Sequence, residues 1–383
     1  MKPRILFLDH VGVLGGAELS LLDVARSLAG TSHVVLFDDG PFRERLEQAG
    51  VPVAVLSAPA AVRAAVRDGG SGQALRAIPG VFRLAARVAR MARAFDLVYA
   101  NSQKAFVVGS LAARLAGRPL LWHLRDLMSE EHFSASRRWL AVTLGNRLAA
   151  RVVANSEATA RAFVAAGGQA ERVRVVYNGI DPAPFDAVDA GTVMRLRRQL
   201  GLGDRPVVGV FSRLAAWKGQ HILLEALARL PGVQALLVGD ALFAEDRTYA
   251  AQLREQAAGL GGRVHFLGFR DDVPALLHLV DVVVHTSVAP EPFGRVVVEG
   301  MMAGRPVVAT RAGGVPELVE EGRTGRLVPP GDVGALVEVL EELFAAPEAA
   351  RAMGERAASV ARTRFSKENM LAAIERVIGE LVP

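Results

Sequence analysis

Short, unbroken apolar runs recur along this chain, each followed by a longer segment of helical periodicity. Residues 5–8, 34–37, 53–56, 97–100, 120–123, 152–154 and 173–176 make up a first series. Helical patterns at 17–29, 41–49 and 105–116 lie between them. A strand that is apolar on both sides of its pleat has to be covered on both faces. A helix between successive strands in turn suits parallel pairing. The pattern therefore predicts an α/β chain with a doubly covered parallel sheet.

The alternation pauses at 178–185, Asn-Gly-Ile-Asp-Pro-Ala-Pro-Phe, a turn-rich and proline-rich stretch that reads as a linker. It restarts with runs at 207–211, 235–238, 264–267, 282–285 and 307–310. At 383 residues the chain exceeds what one core usually holds. Two domains are expected, at 1–181 and 205–362, joined by a linker at 182–204. A helix in 363–383, after a polar break at 363–366, would pack back on the first domain. Two doubly wound units imply a cleft between them, with ligands at the carboxyl ends of the strands.

Charge and cysteine usage remove several classes of function. Lys plus Arg number 45 against 40 Asp plus Glu, a net charge of +5, without the concentrated basic footprint of a nucleic-acid binder. With no cysteine, thiolate zinc sites, disulfides and Cys nucleophiles are ruled out. The first apolar run is too short for a signal-peptide core, and no stretch approaches the roughly 20 residues of a membrane span. A cytoplasmic protein is expected, with room for peripheral contact at the inner membrane face.

The stretch 287–304 carries the most chemistry. It follows the apolar run 282–285, so it sits at a strand's carboxyl end. Pro290 and Pro292 stop the strand, and Pro292 can also open a helix. Gly294 allows close approach to the backbone, and the amides near Phe293 and Arg295 form a helix N-terminus suited to phosphate or sugar hydroxyls. Glu291 precedes that helix and Glu299 lies about two turns further on, so two carboxylates can enter one pocket at different depths. As bare surface charges they would be solvated. The Pro-Phe-Gly context after a buried strand argues for a site.

A second motif, Phe-Ser-Arg-Leu-Ala-Ala-Trp-Lys-Gly at 211–219, also follows a strand. Arg213 offers a planar fork and Lys218 a point charge, a pair suited to a diphosphate. A third, Gly-Val-Leu-Gly-Gly-Ala-Glu at 12–18, opens the first helix but lacks dinucleotide-loop spacing. There is no Asp-x-Asp motif and no His pair at metal-ligand spacing, which points to chemistry without a metal. No cofactor is expected.

Residues 287–304 resemble the E-x7-E signature of the retaining glycosyltransferases of family 4. The likeness continues through Ala-Gly-Arg-Pro-Val-Val-Ala-Thr at 303–310, Gly-Gly-Val-Pro-Glu at 313–317 and the stretch 322–332. It implies the GT-B fold: two Rossmann-like, doubly wound α/β domains facing each other across a cleft. It also implies transfer of a hexose from a nucleotide diphosphate sugar, such as a UDP- or GDP-hexose, to a glycan, lipid-linked or small-molecule acceptor. Carried over, Glu291 faces the donor sugar and Glu299 the ribose. Arg213 and Lys218 take the diphosphate, and Phe293, Gly294 and Arg295 supply backbone around the sugar. Gly15 and Gly16 approach the donor phosphate. His123 falls where the family has a His near the transferred sugar, although a core role is equally open. Asn155 and Ser156 match another recurrent stretch and read either as cleft-shaping residues or as a helix cap. Residues 265–270 follow the loop that faces the base through its backbone. A phosphorylase would need a pyridoxal-binding lysine, and the few lysines leave no candidate. An epimerase, a hydrolase and a non-catalytic two-lobed binder remain the rival readings.

The segment 63–93 is rich in arginine. Arg83, Arg87 and Arg90 share one helical face, while Leu84, Val88, Met91 and Phe95 share another. Such a stripe is either a solvated face or a surface for anionic lipid headgroups or an anionic acceptor.

Overall fold

The computed structural model describes residues 2–59 and 71–382. It divides into two units, Met1–Gly179 with Glu368–Pro383, and Ile180–Lys367.

The first unit runs β1 (Ile5–Asp9), α1 (Gly16–Ser27), β2 (Ser32–Leu36), α2 (Pro41–Gln48), β3 (Val53–Val55), α3 (Ser71–Ala92), β4 (Leu97–Ala100), α4 (Gln103–Ala116), β5 (Leu120–Leu124), α5 (Ala135–Leu148), β6 (Arg151–Ala154), α6 (Glu157–Ala165) and β7 (Val173–Val175). Its strands form one parallel sheet in the order β3-β2-β1-β4-β5-β6-β7. All five residues of β1 are buried, as the absence of a polar side in its sequence requires. Ile5 and Phe7 pack with Leu21 and Val24 of α1. Leu6 and Leu8 enter the opposite core with Leu84 and Val88 of α3 and Phe106 of α4. Alternate residues of one strand thus anchor both covering layers.

The second unit continues with α7 (Ala183–Asp186), α8 (Ala190–Gln199), β8 (Val207–Phe211), α9 (Gln220–Arg229), β9 (Gln234–Val238), α10 (Asp246–Ala258), β10 (Val264–Gly268), α11 (Val273–Leu279), β11 (Val282–His285), α12 (Arg295–Met302), β12 (Val307–Thr310), β13 (Arg326–Val328), α13 (Val333–Ala345) and α14 (Pro347–Arg364). The parallel order is β10-β9-β8-β11-β12-β13. A helix α15 (Lys367–Gly379) closes the chain. It belongs to the first unit, where Met370, Ile374, Val377 and Ile378 join the core of β1 and α1. Glu380 beyond it pairs with Arg151 of β6 and Arg174 of β7 at 2.8 and 3.1 Å.

Two sequence expectations need correcting. The stretch 182–204, read as a linker, is folded into the second unit. It carries α7 and α8, and Phe185, Leu196 and Leu202 are buried. The proline- and glycine-rich composition marked a change of element but not an unstructured connection. Strand β13 has no counterpart among the predicted runs, because its three residues begin with Arg326. Of the arginine-rich segment, Arg63 and Arg67 lie outside the described residues; the rest falls on α3 and the turn after it.

Candidate active site

Each sheet reverses its strand order once, between β1 and β4 and between β8 and β11. At such a reversal the connecting helices leave to opposite faces and open a crevice over the carboxyl ends. The motifs at 211–219 and 287–304 leave β8 and β11, the two strands that flank the reversal in the second unit.

Glu291 is the hub of that crevice. Its Oε1 accepts from Lys218 Nζ at 2.7 Å, lies 2.7 Å from His285 Nε2, and takes a third, short hydrogen bond from the Ser287 hydroxyl. Burial opposes the charge, but the Lys218 ammonium and the His285 ring outweigh it and hold the carboxyl well below its ordinary range. Thr310 of β12 lies 3.2 Å from His285 Nδ1 and steadies the far side of the ring. Lys218 also sits 4.3 Å from the Trp217 ring centroid. Among the described residues, no hydrogen bond is made by Glu291 Oε2.

Close backbone approach brings these loops together. Gly219 has φ +67°, and a Cβ there would stand 2.1 Å from the Thr286 carbonyl oxygen. Gly313 has φ +62°, and its Cβ would stand 2.1 Å from the Glu291 carbonyl oxygen, which accepts from the Gly314 amide at 2.8 Å. Both positions need glycine for conformation as well as space.

Arg213 lies 4.9 Å over Phe243 and 5.5 Å over Trp217 and has no carboxylate partner among the described residues. It is thus a cation stacked on two aromatic rings. Gly294, at φ +94°, caps α12, and Phe293 is buried against Phe365. Glu299 does not join Glu291. It pairs with Arg295 at 2.7 Å, four residues earlier on the same helix, and Arg295 Nη1 is buried without a partner among the described residues. Residues 264–268 form β10, and Arg270 beyond it is held by Asp272 in a two-pronged pair at 2.7 and 2.6 Å. A narrow cavity of about 10 Å³ is lined by Phe211, Ser212, Lys218, His285, Ser287 and Val296.

In the first unit, Gly15 caps α1 and Gly16 opens it. A Cβ on Gly15 would stand 2.7 Å from Glu18 Oε2, so the Glu18 carboxyl folds back over the loop. Burial and the neighbouring Asp9 push Glu18 up to about 7. Asn101, after β4, donates to Asp9 at 2.6 Å. Arg125, after β5, donates to Asn101 at 3.1 and 2.9 Å, to Ser20 at 3.1 Å and to Asn178 at 2.6 Å.

His123 lies on β5, within the sheet of the first unit. It is 0% exposed, and its Nδ1 forms a short hydrogen bond with the Tyr99 hydroxyl. Burial, then Arg125, lowers its proton affinity well below the usual value, so the ring is neutral, and its buried Nε2 has no hydrogen-bond partner among the described residues. Arg125, two residues on, takes the polar position at the end of the strand. Asn155 and Ser156 are also buried. Ser156 accepts from the Thr159 amide at 3.0 Å as the cap of α6, and Asn155 accepts from the Thr159 hydroxyl at 2.9 Å, which fits the cap reading. Sequence reasoning missed His285 and Ser287. Their signal was a histidine ending an otherwise apolar strand and a serine two residues past it, six and four residues before Glu291.

Two doubly wound parallel units, with a cation and carboxylate cluster where the second sheet reverses, define a transferase of the GT-B fold. Residues 194–360 match the family described as glycosyl transferases group 1, and residues 15–179 match a glycosyl transferase 4-like domain. The chain belongs to the group 1 glycosyl transferases. A solved Anabaena protein, HepE, captured with UDP and glucose, is 44% identical at a TM-score of 0.91, covering 99% of this chain and 100% of that one. A Rhizobium meliloti lipopolysaccharide core biosynthesis glycosyltransferase is 35% identical over 202 residues, 52% of this chain and 56% of its own. A Mycolicibacterium smegmatis GDP-mannose-dependent phosphatidylinositol monomannoside mannosyltransferase is 34% identical over 213 residues, 52% of this chain and 54% of its own. The chain spans about half the length of the curated relatives it matches.

Proposed function

We propose that this chain transfers a hexose, with retention of anomeric configuration and without a metal, from a UDP- or GDP-linked donor to an acceptor hydroxyl in glycan assembly at the cytoplasmic side. The Lys218–Glu291–His285 cluster beside the stacked Arg213 carries this reading. It sets two cations and an oriented carboxylate at one sheet reversal. The UDP-glucose bound by the Anabaena protein supports a UDP-hexose as the donor to try first.

In this mechanism Arg213 and Lys218 offset the charge that grows on the diphosphate as its bond to the anomeric carbon breaks. Glu291, oriented by His285, Ser287 and Lys218, accepts from donor sugar hydroxyls through Oε2. Glu299 and the spare Arg295 Nη1 hold the ribose end, and the amides around Gly15 and Gly16 approach the phosphates. The acceptor oxygen bonds to the same face of the anomeric carbon, and its proton passes to the departing phosphate oxygen. The protein's contribution is position and fixed charge. The acceptor is a cell-surface glycan, a lipid-linked sugar or a small molecule.

Folded Lys218→Ala and Glu291→Gln variants should each lose roughly a hundredfold or more in turnover, the scale of one preorganised charge contact. Near-full transfer by either would overturn these roles. The anomeric proton coupling of the product tests retention directly, with an inverted product counting against the mechanism. Activity abolished by excess chelator would count against metal independence.

A further inference from the structure

One face of the first unit concentrates positive charge and exposed apolar side chains. Helices α3, α4 and α5 all pack on the same side of the sheet, through Leu84 and Val88, Phe106 and Ala112, and Ala141 and Val142. None of the three contains an aspartate or a glutamate, in a chain with 40 acidic residues. On α3, Arg76, Arg83, Arg87 and Arg90 are exposed. Lys104 and Arg114 on α4 and Arg137 and Arg147 on α5 extend the charge. On the loop leading into α5, Glu130 pairs with Arg138 at 2.7 Å and Glu131 is exposed, so the loop sets one further acid beside these eight cations.

Large apolar side chains stand among these cations. Ile78 and Phe82 on α3 are 45% and 55% exposed, and Trp139 and Leu140 on α5 are 68% and 44% exposed. In a parallel sheet the crossover helices run against the strands, so their first turns lie at the strands' carboxyl ends. Ile78 and Phe82 fall near the middle of α3, and Trp139 and Leu140 fall in the opening turns of α5. Trp139 and Leu140 therefore sit at the same end of the unit as the Gly15 loop, and Arg83, Arg87 and Arg90 follow Ile78 and Phe82 along α3. No described helix is long and apolar enough to cross a membrane.

We propose that this face docks the protein on a bilayer rich in anionic lipid. Phe82, Ile78, Trp139 and Leu140 enter the headgroup region, and the acid-free arginine field faces the phosphates. A soluble polyanion would satisfy the arginines but offers no apolar phase for an exposed tryptophan and phenylalanine. A bilayer surface satisfies both. Docking would hold the carboxyl-end loops of the first unit against the lipid, within reach of an acceptor anchored there. The surface itself does not depend on the proposed donor chemistry.

The test is flotation of the full chain, without donor, with phosphatidylcholine vesicles and with vesicles containing about one-third phosphatidylglycerol. Expected is binding to the anionic vesicles alone, weakening with salt as exposed charges are screened. Arg83→Gln, Arg87→Gln and Arg90→Gln together should weaken it roughly a hundredfold, since each basic residue near such a surface contributes about 1 kcal/mol. Phe82→Ser with Trp139→Ser should weaken it at unchanged charge, with circular dichroism confirming the fold of both variants. The proposal is overturned by absence of binding at low salt, by equal binding to neutral vesicles, or by heparin binding without vesicle binding. Loss of transfer with vesicle binding intact would refute the proposed activity and leave this surface standing.

Discussion

Lys218 and Glu291 illustrate how a buried charge pair is made tolerable. Each is a poor group to bury alone, and removing one partner of such a pair typically costs about 3–5 kcal/mol. Glu291→Ala should therefore lower the melting temperature of the second unit as well as turnover, while Glu291→Gln, which keeps its shape, should lose chiefly turnover. Arg213 has no such stake in stability. Arg213→Ala should leave melting nearly unchanged and remove roughly tenfold or more of nucleotide affinity, as expected for a charged hydrogen bond worth about 1.5–3 kcal/mol. Thermal stabilisation by UDP and GDP across a concentration series reads both effects.

Glu18 makes a pH prediction with a definite sign. Its pKa rises from 4.5 in the unfolded chain to about 7 in the fold, through burial and Asp9. The stability it contributes is present below pH 4.5 and is lost as pH climbs through 7. Glu18→Gln should flatten that part of the first unit's stability profile, by an amount on the order of 3 kcal/mol. Chemical denaturation at pH 5 and pH 8 measures it, and identical slopes for wild type and variant would refute it.

Among the elements, the strands were the most legible. Runs such as 97–100, 207–211, 282–285 and 307–310 coincide with β4, β8, β11 and β12, because a doubly covered strand has no polar face to blur its edges. Helix α12 was legible too, from the proline and glycine ahead of it. Where a strand is short and mixed, as in β13, or where prolines open helices, as at α7, pattern and composition misled. The loop glycines were visible as motif letters, but their reason lies in partners far along the chain: Gly313 against Glu291, and Gly219 against Thr286. Gly313→Ala should cost more than the 1–2 kcal/mol of a left-handed conformation alone, since its Cβ meets a carbonyl oxygen. A drop of several degrees in the second unit's melting, with weakened nucleotide binding, is the expected result.

On the scale of the whole molecule, the first unit is completed by residues from the far end of the chain. Met370, Ile374, Val377 and Ile378 each remove a large apolar side chain from water, at about 1.5–3 kcal/mol apiece. A chain ending at residue 366 should therefore lose the cooperative melting of the first unit while the second still melts, by calorimetry and limited proteolysis. Unchanged melting of both would show that α15 is dispensable.

By itself the sequence determined the class: parallel sheets, two units, a carboxylate motif at a strand end and no thiol chemistry. These follow from periodicity and residue type, which act over a few neighbours. The tertiary structure alone decided the partners. It bound Glu291 to Lys218, His285 and Ser287, paired Glu299 with Arg295, buried His123 on Tyr99 and tied Arg125, just past the strand end, to Asn101 and Asn178. It also gathered three acid-free helices on one face. Each outcome depends on distances between residues remote in sequence, set when the sheets order their strands. Local pattern carries no term for that.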